Sequence, residues 1–271
     1  MHFKPQKNIK NSRILITNDD GIEAYGIKLL EKILLTITPE VYVVAPQNEK
    51  SGAGHSITTD KLRSMIGHTS IDNFPTDIIK YDEHHYAVDG TPTDCVRVAL
   101  NMIMPDNYPD MIISGINMGR NIADDVTYSG TIGAAMEGVL YGIPSLAVSQ
   151  LATGQSEINW QIAEQYLPEI IAKVRSGVYS ADTLININFP NIPTEELKGI
   201  EICRQGSRRY VDGTVEHKHL CRFSLEQDVE QADYPADHEV IKNSITITAL
   251  KINLTDEKGL EELKKVFAQT I

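Results

Sequence analysis

The sequence contains few cysteines and no long apolar run, and both absences bear on where the protein works. Its three cysteines, Cys95, Cys203 and Cys221, have the spacing of neither a metal site nor a redox motif, which is typical of free thiols in a reducing cytoplasm. No stretch approaches the roughly 18 apolar residues of a membrane-spanning helix, and the basic N-terminus lacks the apolar run of a secretory signal. We therefore expect a cytoplasmic protein that binds no membrane.

Positive charge is also scarce. Lysine and arginine number 25 against 37 aspartates and glutamates, so the net charge is −12. A chain this acidic should not bind DNA or RNA through general attraction to phosphates, and we expect no nucleic-acid polymer as a partner. An anionic ligand would need local compensation by a metal ion or by the N-terminus of a helix.

Several familiar motifs are missing. The sequence has no GxxxxGKS/T and no GxGxxG after a strand, which excludes P-loop and dinucleotide-binding proteins; HExxH is absent too. The pairs His84–His85 and His217/His219 lie in polar stretches, and a site for a hard cation does not need them.

The first two thirds of the chain alternates strand and helix patterns. Continuous apolar runs, which predict strands, are separated by segments with helical spacing. The predicted strands are 13–17, 41–45, 111–114, 145–149 and 184–189, and the predicted helices lie near 27–37, 95–103, 131–141 and 160–174. This alternation predicts an α/β fold with a parallel sheet covered on both faces.

The domain organisation is simple. We interpret residues 1–12 as a tail and 13–271 as a single domain, with a core over about 13–200. Residues 201–271 are interpreted as an arm of hairpin and helix rather than a second domain. The arm contains a predicted strand at 244–250 and a predicted amphipathic helix at 255–268. The segment 47–88 predicts a hairpin or a long loop.

Oxygen-bearing side chains follow three of the predicted strands. They are Asn18, Asp19 and Asp20 after the first, Ser51 and His55 after the second, and Ser114, Asn117 and Asn121 at the end of the third and just after it. Because ligands bind at the carboxyl ends of parallel strands, three distant segments could converge on one site.

The adjacent carboxylates of Asp19 and Asp20 are costly to place together unless a cation or solvent compensates them. With serine and asparagine oxygens they form a ligand set that Mg²⁺ or Mn²⁺ prefers. Such an ion acidifies a bound water and polarises a phosphoryl oxygen. The alternative is an ordinary Asn-Asp-Asp-Gly turn. His55 could orient water, contact phosphate or pack its loop.

Two helix starts are further candidates. Ser129, Gly130 and Thr131 begin a helix rich in small residues, where unpaired backbone N–H groups can hold phosphate; the alternative is a plain serine cap. Residues 90–95 (GTPTDC) fit a turn followed by a cap at Asp94, unless the loop borders the crevice.

Six ordered stretches resemble the SurE (survival protein E) family of metal-dependent 5′-nucleotidases. They are ILITNDDGI (14–22), VVAPQNEKSGAGHSIT (43–58), GTPTDCV (90–96), PDMIISGINMGRN (109–121), YSGTIGAAMEG (128–138) and IPSLAVS (143–149). The resemblance implies a Rossmann-like three-layer α/β/α sandwich with a C-terminal oligomerisation extension, forming homodimers or homotetramers. The chain departs from the family in its N-terminal tail and in SITITAL, where many members continue into Thr-Pro-Leu.

The resemblance also implies a site. The metal ligands fall on Asp19, Asp20, Ser51 and Asn117, of which Asp19, Asp20 and Asn117 are the catalytic candidates, with one Mg²⁺ or Mn²⁺ per subunit. Phosphate binding falls on Ser129, Gly130 and Thr131, with Asn18 and Asn121 beside the substrate.

The implied reaction is hydrolysis of nucleoside 5′-monophosphates, with 3′-monophosphates and short polyphosphate as further substrates. An aspartyl-phosphate intermediate of the haloacid-dehalogenase type is disfavoured, because Asp19-Asp20 is not the Asp-x-Asp of that class. The alternative function is a non-catalytic nucleotide-binding or regulatory protein on the same fold.

Overall fold

The computed structural model describes residues 10–58, 77–152, 157–207 and 234–268. The strands are β1 (Ile14–Thr17), β2 (Val41–Pro46), β3 (Ile78–Lys80), β4 (His85–Val88), β5 (Met111–Met118), β6 (Ser145–Gln150), β7 (Thr183–Phe189), β8 (Ile200–Cys203) and β9 (Ile245–Lys251). The α-helices of the described residues are α1 (Tyr25–Leu35), α2 (Pro92–Val98), α3 (Gly130–Leu140), α4 (Gln161–Ser176), α5 (Asp237–Val240) and α6 (Glu257–Ala268). In this part of the chain no helix is both long and apolar enough to cross a membrane.

The strands form one mixed sheet in the order β3-β4-β2-β1-β5-β6-β7-β9-β8. The predicted parallel pairing is confirmed from β4 through β2, β1, β5 and β6 to β7. The sheet departs from a purely parallel one where β3 pairs antiparallel with β4 and β9 pairs antiparallel with β7. The chain runs outward from β1 in one direction and then returns to β5 to run in the other, so the strand order reverses between β1 and β5. Ligands of open α/β sheets bind at such a point.

Helices cover both faces of the sheet, so the predicted three-layer α/β fold is confirmed. Side chains of β1 alternate between the two layers, as successive residues of a strand do. Ile14 and Ile16 pack in a core with residues of α1 and α4, whereas Leu15 packs in a second core with residues of α2. Because helices cover both faces of the sheet, a ligand can reach it at the ends of the strands.

Strand β5 runs four residues beyond its predicted end. The sequence predicts a strand over 111–114, yet pairing with β6 resumes at Asn117 after an irregularity in register. Gly115 has a φ of +140°, and a Cβ there would lie 2.2 Å from the carbonyl oxygen of Val148. Glycine therefore lets the backbone pass close to β6 and carry Asn117 to the rim.

Helix α2 also begins earlier than predicted. Asp94 was expected as its cap, but Thr91 is the N-cap and Asp94 is the third helical residue, and the two exchange hydrogen bonds in a capping box. The predicted hairpin within 47–88 is present as β3 and β4, and residues 59–76 lie outside the described residues.

The C-terminal segment contributes to the sheet itself. The predicted strand at 244–250 is present as β9, which pairs with β7 and with the unpredicted β8. Helix α6 follows and has no buried residue. Most of the predicted tail, together with His217, His219 and Cys221, lies outside the described residues. The division into a core and an arm stays a prediction.

Candidate active site

The loop after β1 presents one buried and one partly exposed carboxylate. Asp19 is 5% exposed, and its Oδ1 accepts a 2.7 Å hydrogen bond from the hydroxyl of Thr131 at the start of α3. A Cβ on Gly130 would lie 3.0 Å from Cβ of Asp19, so the absence of a side chain at Gly130 lets the loop approach the helix. The first predicted cluster and the predicted phosphate helix are therefore in direct contact.

Strand β5 meets the same loop from the other side. Oδ2 of Asp20 accepts a 2.9 Å hydrogen bond from the backbone N–H of Met118, the residue after Asn117. Nδ2 of Asn117 donates to the carbonyl of Gly119 over 2.9 Å. The nitrogen of this amide is used within its own loop, and its oxygen is the atom that a hard cation would take.

The electrostatics of the two carboxylates call for a positive charge. Burial raises the pKa of Asp19 to about 6; the hydrogen bond from Thr131 lowers it, and the neighbouring charge of Asp20 raises it. Burial also raises the pKa of Asp20, against the effect of the Met118 N–H, and the nearby Glu49 adds to the increase. Among the described residues neither carboxylate pairs with a basic side chain, and Lys50 faces Asp89 instead. Two adjacent carboxylates without a basic partner are what a bound cation would stabilise.

Asn18 adds a buried acceptor beside them. Its side chain is fully buried, and its Nδ2 donates to the carbonyl of Gly21 over 2.8 Å. Its Oδ1 has no hydrogen-bond partner among the described residues. No group of three or more His, Cys, Asp or Glu side chains suited to a metal occurs in the described residues. A cation here would therefore be held by few protein ligands, two carboxylates supplemented by amide or hydroxyl oxygens.

The loop carrying Ser51 reaches the same place through its backbone. The N–H of Lys50 donates to the carbonyl of Asp19 over 2.7 Å, and the N–H of Gly54 donates to the carbonyl of Tyr128 over 3.0 Å. Ser51 itself is exposed, and its hydroxyl donates to Glu49 over 2.6 Å. The structure brings Ser51 to the rim, and its role as a metal ligand stays a prediction.

The start of α3 combines a side-chain cap with backbone N–H groups that lie beside the acidic loop. The hydroxyl of Ser129 accepts a hydrogen bond from the N–H of Ile132 over 3.1 Å, so this side chain is a cap. The first helical hydrogen bond runs from Gly133 to Ser129. The N–H of Gly130 precedes that bond, and the backbone N–H of Thr131, like its hydroxyl, lowers the pKa of the Asp19 carboxyl by donating to it. An anion is stabilised at such a helix start.

Asn121 is anchored in the interior. Its Nδ2 donates to the hydroxyl of Ser149 over 2.8 Å, and its N–H donates to Oδ1 of Asn188 over the same distance. Its carbonyl accepts from Nδ2 of Asn186 and of Asn188. This buried network fixes the loop after β5, and a contact between Asn121 and substrate stays a prediction.

Three positioning residues were missed at the sequence level. Asn186 and Asn188 alternate within an otherwise apolar strand, and that departure from the pattern was an available signal. Asp237 is fully buried and accepts backbone hydrogen bonds from Ala123 over 3.1 Å and from Gly206 over 3.0 Å. It ties the C-terminal segment to the loop after β5, and no spacing in the sequence points to that role.

His55 fixes its loop to helix α3 by pairing with Glu137 rather than with Asp19 or Asp20. Its Nε2 lies 2.9 Å from Oε2 of Glu137 on α3, and the other oxygen of Glu137 lies 3.9 Å from Nε of Arg97. The GTPTDC loop borders the crevice, because a Cβ on Gly130 would lie 3.1 Å from Cγ of Pro92. Asp94 also accepts a 3.1 Å hydrogen bond from the N–H of Thr58, which holds the loop after β2.

The chain is similar to known proteins both in sequence and in structure. Residues 14–212 match the family model described as survival protein SurE. The chain is 42% identical over 263 residues to a 5′-nucleotidase SurE of Parvibaculum lavamentivorans, covering 94% of this chain and 90% of the relative. It is 38% identical to a 5′-nucleotidase SurE of Paramagnetospirillum magneticum, covering 98% of this chain and all of the relative. The crystal structure of the SurE protein of Aquifex aeolicus superposes with a TM-score of 0.76 at 34% identity, covering 94% of this chain and 99% of that one.

Proposed function

The chain belongs to the survival protein SurE family, and we propose that it is a divalent-metal-dependent 5′-nucleotidase. The reaction converts nucleoside 5′-monophosphates to nucleoside and phosphate. The observation that carries the proposal is the contact between the two halves of the site. A buried carboxylate without a basic partner, Asp19, accepts a hydrogen bond from the hydroxyl of Thr131 at the start of α3. The proposed cation site and the proposed phosphate site are therefore adjacent.

We assign one Mg²⁺ or Mn²⁺ per subunit to the oxygens of Asp19, Asp20, Asn117 and Ser51. The all-oxygen donor set and the adjacent carboxylates support a hard cation over zinc. When bound, such an ion supplies positive charge to a phosphoryl oxygen and acidifies water.

The residues of the chain perform the remaining tasks. The start of α3, at Ser129, Gly130 and Thr131, binds the phosphate and stabilises the charge that develops on it in the transition state. Thr131 also orients Asp19 through its hydroxyl, and Met118 orients Asp20 through its N–H. Because these contacts are made before substrate arrives, the site needs little reorganisation during the reaction.

The proposal extends to 3′-monophosphates and short polyphosphate. A site that binds a terminal phosphate does not require that phosphate to be attached at the 5′ position of the ribose. It also includes a cytoplasmic location and a homodimer or homotetramer formed through the C-terminal arm. The exposed helix α6 supports the last point, since leucine and phenylalanine side chains on it are open to solvent.

Phosphate release from AMP and GMP tests the proposal. We expect release with Mn²⁺ or Mg²⁺ and none with excess EDTA, and restored release when the ion is added back. Asp19→Asn should lower kcat by roughly a thousandfold or more, since it removes a charged ligand. Asp106→Asn, in an exposed turn before β5, is the matched control and should retain activity. Binding of AMP without phosphate release by the metal-loaded wild type would favour the non-catalytic alternative.

A further inference from the structure

An open depression of about 810 Å³ lies at the carboxyl end of the sheet, beside the acidic loop. Its aromatic wall is formed by Tyr25, the first residue of α1, and Trp160, the residue before α4. The two ring centroids are 5.2 Å apart with the planes tilted by 49°. Tyr25 is 61% exposed, so much of its ring is accessible to a ligand.

The aromatic wall of the depression is connected to the candidate active site through the start of α1. Tyr25 follows Asp20 by five residues and begins the helix that comes after the acidic loop. The next residue, Gly26, packs so closely on β5 that a Cβ there would lie 1.9 Å from the carbonyl oxygen of Ile116. Asn117 and Met118 come directly after that contact, and Met118 donates to Asp20. The aromatic pair therefore lies next to the residues assigned to the cation, with the exposed Met118 on the same rim.

The backbone around the aromatic pair is held in place by two asparagines. Oδ1 of Asn191 accepts a 2.8 Å hydrogen bond from the N–H of Asn159, and Nδ2 of Asn159 donates to the carbonyl of Ile192 over 2.7 Å. These bonds fix the loop after β7 to the start of α4, where Trp160 is the N-cap residue. A platform built in advance loses little entropy when a flat ligand binds to it.

The charge of the depression selects the kind of ligand. Glu157, Glu164 and Glu195 line it, and Lys32 neutralises Glu164 over 2.6 Å. A phosphate would be repelled by the remaining carboxylates, whereas the amino groups of a nucleobase are hydrogen-bond donors that carboxylates accept. An aromatic surface rimmed by acceptors suits a base and not its phosphate.

We propose that Tyr25 and Trp160 form the platform on which the nucleobase of the substrate stacks while its phosphate lies at the start of α3. The inference rests on the proposed function and deepens it, because it makes the enzyme selective for nucleotides over phosphate esters that lack a base. Base-on-aromatic stacking is tolerant of base identity, since every base has a flat face. The platform therefore favours nucleotides as a class.

Fluorescence gives a direct test, since Trp160 is the single tryptophan of the chain. Titration of the Mg²⁺-loaded wild type with adenosine, which has a base and no phosphate, should change the emission in a saturable way. Ribose 5-phosphate should leave it unchanged at the same concentrations. Tyr25→Ala should weaken the adenosine response by roughly tenfold, and Tyr25→Phe should restore it, because stacking needs the ring and not the hydroxyl.

Kinetics give the second test. In Tyr25→Ala and Trp160→Ala, the ratio of kcat/KM for AMP to kcat/KM for ribose 5-phosphate should fall by roughly 5- to 50-fold, mainly through KM for AMP. Tyr108→Ala is the matched control, because Tyr108 is also an exposed tyrosine paired with a second ring, Tyr141. It precedes β5 and so lies at the amino end of the strands, away from the candidate active site.

The outcomes separate the two proposals. An emission unmoved by adenosine, or equal losses on AMP and ribose 5-phosphate, overturns the platform while leaving phosphate release from AMP as evidence for the nucleotidase. A saturable adenosine response in a wild type that releases no phosphate supports the platform and overturns the proposed function.

Discussion

The hydroxyl of Thr131 donates a 2.7 Å hydrogen bond to Oδ1 of Asp19, and this bond joins two segments 112 residues apart. It links the acidic loop to the start of α3. It also acts on the chemistry of Asp19, because it lowers the pKa of that carboxyl against the larger effect of burial. The ability of Asp19 to bind a cation near neutral pH therefore depends on the helix that would bind the phosphate.

The first prediction concerns this bond. Thr131→Val keeps the shape of the side chain and removes the donor, so the pKa of Asp19 should rise further above about 6. A hydrogen bond to a charged group contributes about 1.5–3 kcal/mol, and we expect the affinity for Mn²⁺ at pH 6.5 to fall by roughly tenfold to a hundredfold. The loss should shrink as the pH rises, because metal binding requires the deprotonated carboxylate. Calorimetric titration with Mn²⁺ at several pH values measures this.

Thr131→Ser is the control for that experiment, because it keeps the hydroxyl. Its affinity for Mn²⁺ should stay close to that of the wild type. An equal loss in the valine and serine variants would point to packing of the methyl group rather than to the hydrogen bond.

The second prediction concerns stability without metal. Asp19 has a folded-state pKa of about 6 against an ordinary value of 3.8, so the proton binds the folded state more tightly. The contribution of the protonated group to stability is fully present below pH 4 and is lost as the pH rises through about 6, a loss of about 3 kcal/mol. Asp19→Asn resembles the protonated form at every pH. In EDTA at pH 7.5 we therefore expect this variant to be more stable than the wild type.

Urea unfolding at pH 3.8 and 7.5 measures the difference. It should be present at pH 7.5 and nearly absent at pH 3.8, and saturating Mn²⁺ at pH 7.5 should reverse the order by stabilising only the wild type. A variant that is less stable than the metal-free wild type at pH 7.5 would mean that the carboxylate has a stabilising partner in solution.

Local patterns were enough to predict most of the fold. The β-rich run before Asn-Asp-Asp-Gly gave β1 within one residue, since a turn signal ends it. The small-residue segment after Ser129 similarly gave α3 within one residue at each end. In both cases the information lies within the segment itself.

The remainder depended on contacts between distant segments. The extension of β5 past Gly115 requires the close approach of Val148, and no local pattern reveals it. Strand β8 was not predicted. Its residues Ile200 and Ile202 are open to solvent, so β8 does not have the apolar pattern of a buried strand. For the site, the residue types were predictable from the sequence, whereas the hydrogen-bond partners of Asn121 and Asp237 were not. These partners lie far away along the chain, and no local pattern identifies them.

The third prediction concerns a histidine outside the site. His85 at the start of β4 lies between Glu31, 2.7 Å from its Nε2, and Asp82, 2.9 Å from its Nδ1. Partial burial lowers the pKa of His85, but the hydrogen bonds to Asp82 and Glu31 outweigh it and raise the pKa above 6.5. Its contribution to stability is therefore present below pH 6.5 and is lost as the pH rises through the raised value.

His85→Ala should cost about 1 kcal/mol at pH 6 and less at pH 9, because pairs of this exposure contribute little more than that. Urea unfolding at the two pH values measures the change. His84→Ala is the matched control, since the ring of His84 packs on Tyr42 and its removal measures the loss of packing by a neighbouring histidine. A cost of His85→Ala that does not vary with pH would show that packing, not charge, is lost.

The fourth prediction concerns the exposed face of α6. Leu260, Leu263 and Phe267 recur at helical spacing and are all open to solvent. An exposed apolar patch of this kind is typical of a surface that binds another protein. If this face joins subunits as proposed, Leu260→Glu combined with Leu263→Glu should lower the mass measured by light scattering from two or four times 30.1 kDa toward 30.1 kDa. Lys264→Ala combined with Lys265→Ala changes the net charge by the same amount on the same helix and should leave the mass unchanged. A wild type that already measures 30.1 kDa would remove the oligomer from the proposal.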